Sequence, residues 1–139
     1  MATRPSSITI PGRRTLALLA GDLVALLIFA ALGRRSHSMA AGAGELLEIA
    51  ITAAPFIIGW IAAAPWLGAF SPATAGRPLV MLRLTLVSWV AALAVGAVAR
   101  ALFVGRFSPP TFYLVTFLVV LLLLGGWRAA FAWAEGRRS

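Results

Sequence analysis

Few side chains in this sequence can do chemistry, and each stands where its presence is costly. Asp22 lies inside an apolar run from Thr15 to Gly33. At 1.5 Å per residue it is roughly 10 Å into that run. An ionised carboxylate at such a depth in a bilayer costs at least about 2.5–3.5 kcal/mol, so it is expected to face a bundle interior and to find a partner. Two roles fit it: a structural ion pair between helices, or a carboxylate that takes up protons or binds substrate. At 100° per residue Leu18, Asp22, Leu26, Phe29 and Gly33 share one helical face. Ala17, Gly21 and Ala25 form a small-residue stripe beside it, along which another helix can approach closely. Arg83, a few residues into a later apolar run, is the expected partner by depth. Unless it pairs, its guanidinium must snorkel to the interface.

Glu48 and Arg100 make a second candidate pair, although acids in a first helical turn, such as Glu45 and Glu48, also suit the helix dipole. Pro55 stands in the same run as Glu48. It removes a backbone donor and frees the carbonyl of Ile51, which predicts a kink. Arg34, Arg35, Ser36 and His37 form a cationic hinge after the first run. It suits capture of a phosphate or carboxylate group, but arginines at a helix C-terminus also serve simply as caps on its carbonyls. One histidine, no cysteine and four dispersed carboxylates argue against a metal site. There is no nucleophile elbow, phosphate-cradling loop or histidine-carboxylate ladder. The reading is therefore of a protein that is not an enzyme and needs no cofactor.

The elements that must position these residues are four apolar runs, at about 15–33, 46–70, 79–104 and 111–131. Each reaches or approaches the ~20 residues needed to cross a hydrocarbon core of ~30 Å. They are continuously apolar and lack period-two alternation, so they read as helices and not as barrel strands. Glycine- and proline-rich segments separate them, such as Ser71–Pro78 and Gly105–Pro110. Residues 1–14 and 134–139 read as polar tails. Gly125-Gly126, inside the fourth run, reads as a close-packing or bending point. Trp60, Trp66, Trp127 and Trp133 fall toward run ends, as an interfacial belt would place them.

Composition agrees. Of 139 residues 61% are hydrophobic and 12% charged, against roughly 45–50% and 25% in soluble chains. The net charge of +8 comes from twelve arginines with no lysine. They do not gather in the single stripe that nucleic-acid binding requires. They cluster at run ends, where they meet lipid head groups and set topology. Arg4, Arg13, Arg14, Arg77, Arg128, Arg137 and Arg138 fall on one side of a four-span chain, and Arg34, Arg35 and Arg106 on the other. The excess belongs in the cytoplasm, which predicts both termini inside and the hinge at Arg34–His37 outside.

Several blocks carry a resemblance: Gly21-Asp22, the run Phe29-Ala30-Ala31-Leu32-Gly33-Arg34-Arg35-Ser36-His37, the segment Ala54-Pro55-Phe56-Ile57-Ile58-Gly59-Trp60, and the Arg100 helix. From Thr15 to Trp127 the chain resembles a family of small prokaryotic membrane proteins known only as domain of unknown function three thousand and fifty-four. The resemblance implies a multi-pass membrane protein and no assigned activity. It points to Asp22, Arg34, Arg35, His37, Pro55 and Arg100 as the places to look for chemistry.

The expectation is thus an all-α integral membrane bundle of four transmembrane helices in a prokaryotic cell membrane, with both termini cytoplasmic. It is a small transporter or channel built around Asp22, or a non-catalytic accessory or scaffold subunit of a larger membrane complex. Its partners are the lipid bilayer and a second copy or a complex subunit, and nucleic acid is not among them.

Overall fold

The computed structural model describes residues 12–35 and 43–138, without the side chains of Arg34, Arg35, residues 43–46 and Glu48. Four helices follow one another: α1 (Arg13–Arg35), α2 (Ala43–Ala63), α3 (Pro78–Val104) and α4 (Pro110–Arg138), with a short 3-10 turn at Pro72–Thr74. No strand occurs among the described residues. Helix α1 packs against α2 and α4, and α3 packs against the same two, so the four close into a ring. Residues from the first half of α1, the end of α2, the start of α3 and the second half of α4 meet at one level. The helices therefore alternate up and down.

Local chemistry sets the boundaries. The second run was expected to stay helical to residue 70, but α2 ends at Ala63. Pro65 has no N–H to give the carbonyl one turn back, and it disfavours helical geometry at Ala64. The chain then turns through Gly68 at φ 90°. Helix α3 opens on Pro78 and stops at Gly105, which takes the left-handed conformation and donates its N–H to the Ala101 carbonyl at 2.7 Å. Pro55 lies buried inside α2, and the helix continues through it.

The core is aromatic and small-residue by turns. Phe29, Phe56, Trp60, Trp89, Val120 and Leu124 fill one cluster. Between α2 and α3 the backbones nearly touch. A Cβ added to Gly59 would run into the Ala92 carbonyl, and one on Gly96 would lie 3.1 Å from the Pro55 carbonyl. Outside the ring the surface is apolar, with Leu16, Ile51, Leu79, Leu102 and Leu122 all more than half exposed. Soluble monomers rarely expose apolar surface on that scale. Among the described residues three helices, α1, α3 and α4, are long and apolar enough to cross a membrane, while the apolar part of α2 is shorter, Ile49–Ala63.

Candidate functional site

Asp22 is fully buried, on the face of α1 that also buries Leu18, Leu26 and Phe29. Its partner is Arg128 of α4. Arg128 Nε donates to Asp22 Oδ1 at 2.8 Å and Nη2 donates to Oδ2 at 2.6 Å. This is the two-pronged geometry in which guanidinium and carboxylate match best. Trp60 of α2 donates its indole N–H to Oδ2 at 3.0 Å. Arg128 Nη1 donates to the Ala69 carbonyl at 2.6 Å and reaches Met81 Sδ of α3 at 3.4 Å. The guanidinium is held between two rings, 5.0 Å from the Trp60 centroid and 4.7 Å from that of Phe70. One ion pair thus gathers side chains from all four helices and the α2–α3 turn.

The expected Asp22–Arg83 pair does not form. Arg83 is exposed, because it stands two residues from Met81 and Thr85, both buried. At 100° per residue that turns Arg83 to the far side of α3. In the sequence Arg128 looks like a topology-setting charge near a run end. Two signals identify it. Helix α4 continues to Arg138, and Arg128 lies ten residues before that end, as Asp22 lies nine residues after the start of α1 at Arg13. In antiparallel helices these positions share a depth. Trp60 likewise departs from the interfacial belt. It is fully buried, whereas Trp66 and Trp133 are exposed. Trp127 lies against Gly21, where any Cβ would overlap its indole.

A second network closes the end of the bundle that carries the start of α1 and the end of α4. Arg14 makes two bonds to the Glu135 carboxylate, 2.7 Å from Nε and 3.1 Å from Nη2. Its Nη2 also donates to the Thr74 hydroxyl at 2.7 Å. Thr74 is fully buried and gives its own proton to the Ser71 carbonyl at 2.8 Å. Gly136 packs its backbone on Gly76. Neither Arg14 nor Glu135 stood out in the sequence, because both look like tail charges.

At the opposite end Arg100 donates from Nε to the Ser108 hydroxyl at 3.1 Å, and its guanidinium lies 4.6 Å over the Phe112 ring. The expected partner side chain, Glu48, lies outside the described residues, as do the side chains of Arg34 and Arg35 and all of Ser36 and His37. Pro55 is buried, with its carbonyl close to Gly96 of α3. No cluster that could hold a metal ion occurs among the described residues. Two buried hydroxyls lack a hydrogen-bond partner among the described residues, Thr85 Oγ1 and Ser88 Oγ, and the buried Trp127 indole N–H lies beside Asp22.

Fold and site together define a small all-α bundle, three of its helices apolar enough to span a membrane, pinned at one level by a buried arginine–aspartate pair. The chain belongs to the family described as protein of unknown function DUF3054, whose model matches residues 19–131. That range holds Asp22, Trp60, Met81, Arg100 and Arg128 and leaves Arg14 and Glu135 outside. No curated protein and no solved structure matches the chain.

Proposed function

We propose that the chain is a four-span protein of a prokaryotic cell membrane, with both termini cytoplasmic, and that it acts as a non-catalytic subunit of a larger membrane assembly. The apolar exterior supports the membrane setting. Helix α2 has 21 residues, about 31 Å at 1.5 Å each, enough to cross with the other three. Taking Arg128 out of the topology count leaves Arg4, Arg13, Arg14, Arg77, Arg137 and Arg138 on the terminal side against Arg34, Arg35 and Arg106 on the other. The bias keeps its sign. Arg83 is then a snorkelling residue near the cytoplasmic interface.

The observation that carries the subunit reading is the commitment of Asp22. Both its oxygens are taken by Arg128, and Oδ2 also by Trp60. A carrier's carboxylate has to exchange partners during the cycle. This one is held in place by a fixed, two-pronged cation under a fully buried indole. The rival reading, a small transporter, draws on the Thr85 and Ser88 hydroxyls on the buried face of α3, which have no partner among the described residues. Blue native electrophoresis of the chain, tagged at its natural locus and extracted in mild detergent, separates the two. A larger complex with a stoichiometric partner, retained when Asp22→Leu is combined with Arg128→Met, is the result expected. A lone monomer or dimer whose proteoliposomes pass protons only with Asp22 intact would overturn it.

A further inference from the structure

The end of the bundle opposite the Arg14 network carries a cleft of about 510 Å³ lined by Arg100, Arg106, Ser108 and Phe112. Among the described residues its charge is cationic. The described carboxylates, Asp22 and Glu135, are at the level of the ion pair and at the other end. Arg100 is already oriented. Ser108 holds Nε, the Phe112 ring supports the guanidinium, and the Ser108 N–H is fixed by the Tyr113 hydroxyl at 3.1 Å. This leaves both Nη groups without an acceptor among the described residues. Arg106 is exposed at the rim.

An apolar groove of about 440 Å³ lies on the same seam between α3 and α4, lined by Leu82, Leu86, Leu118, Leu122, Gly125 and Gly126, with Leu121. On α3, Leu82, Leu86, Arg100 and Val104 share one face at 100° per residue, so groove and cleft are on one line. On α4 the groove runs from Leu118 to Gly126, which places it about 9 to 21 Å below Phe112. On α3 Leu86 and Leu82 lie about 21 and 27 Å below Arg100, and half of a hydrocarbon core is about 15 Å, so it is the Leu118–Leu122 end of the groove that lies where the tail of a lipid in that leaflet ends. Gly126 keeps it open, since nothing stands within 4 Å of where its Cβ would be.

We propose that cleft and groove together bind one anionic phospholipid, its phosphate between Arg100 and Arg106 and an acyl tail along the α3–α4 seam. Guanidinium forks match phosphate oxygens, and basic pockets beside membrane helices bind anionic head groups. The inference rests on the membrane setting proposed above, but not on the subunit role.

The test is native mass spectrometry of the detergent-purified chain with phosphatidylglycerol, phosphatidylcholine or inorganic phosphate. Phosphatidylglycerol should remain bound when phosphatidylcholine has dissociated. Arg100→Gln with Arg106→Gln should weaken it about tenfold or more. Leu122→Phe, at an exposed position on the upper groove, should weaken it too. Inorganic phosphate should not displace it. Because Arg106 is exposed, Arg106→Gln alone serves as the test if the double variant does not fold. Equal retention of the two lipids, or unchanged retention in the arginine variants, would overturn the proposal. Displacement by inorganic phosphate would make it a site for free anions. A chain that purifies without detergent would overturn the membrane setting itself.

Discussion

Arg128→Met should be among the most damaging single substitutions in the bundle. Methionine fills much of the same volume but supplies no donor. Asp22 loses both Arg128 bonds and keeps only neutral indole N–H groups beside it, and the Ala69 carbonyl loses its 2.6 Å bond. Breaking a buried ion pair from one side costs about 3–5 kcal/mol, because the remaining charge stays buried without compensation. That corresponds to a fall in Tm of the order of 10 °C for a chain of this size. Asp22→Leu should cost a similar amount, this time leaving the guanidinium uncompensated. Replacing both together removes both charges, and buried pairs exchanged for apolar residues are often neutral or stabilising. The double variant should therefore melt near the parent, a coupling of about 3 kcal/mol or more. The assay is a thermal melt in detergent followed by tryptophan fluorescence, with Trp60 stacked on the pair as a local reporter. A double variant no better than the worse single one would refute the claim that the two charges exist for each other. So would an Arg128→Met that melts like the parent.

Arg83→Gln should shift stability by no more than about 0.5 kcal/mol, as exposed positions do, and should not rescue Asp22→Leu; rescue in the same melt would restore the pairing expected from depth alone. Gly59→Ala should destabilise by about 1–3 kcal/mol by forcing α2 off the Ala92 carbonyl. Gly126→Ala, with open space around it, should be neutral or gain up to about 1 kcal/mol of helix propensity; the reverse order in urea or thermal unfolding would contradict the packing described. Glu135→Gln should cost no more than about 1 kcal/mol, because the Arg14–Glu135 pair is a quarter exposed, and the loss should shrink in high salt.

Much of the architecture is legible in the sequence, because apolar runs bounded by glycine and proline leave little choice of element. The buried face of α1 follows from the spacing of Leu18, Asp22, Leu26 and Phe29. Elsewhere pattern competes with itself. In the stretch after Trp60 hydropathy stays high to Phe70, so the run appears continuous, and only Pro65 marks where the helix must stop. Choosing a partner for Asp22 by depth alone favoured Arg83, although Met81, Thr85, Ser88 and Ala92 already define the inner face of α3 and leave Arg83 outside it. Arg128 was hidden by a different ambiguity. An arginine just after a glycine pair and a tryptophan looks interfacial until the helix is known to continue ten residues further. Arg14 and Glu135 were hidden because an ion pair 121 residues apart has no local signature.

The separation of Asp22 from Arg128, 106 residues along the chain, has a consequence for how the protein is made. Chains emerge from the ribosome N-terminus first, at roughly 5–20 residues per second. In the membrane setting proposed above, helix α1 therefore enters the bilayer with its carboxylate unmatched, roughly 5–20 seconds before its cation is synthesised. Trp60, only 38 residues behind, arrives well before Arg128 and offers the carboxylate an interim donor. The last helix completes the charge match, so an unfinished or truncated chain carries a lone acid in the bilayer.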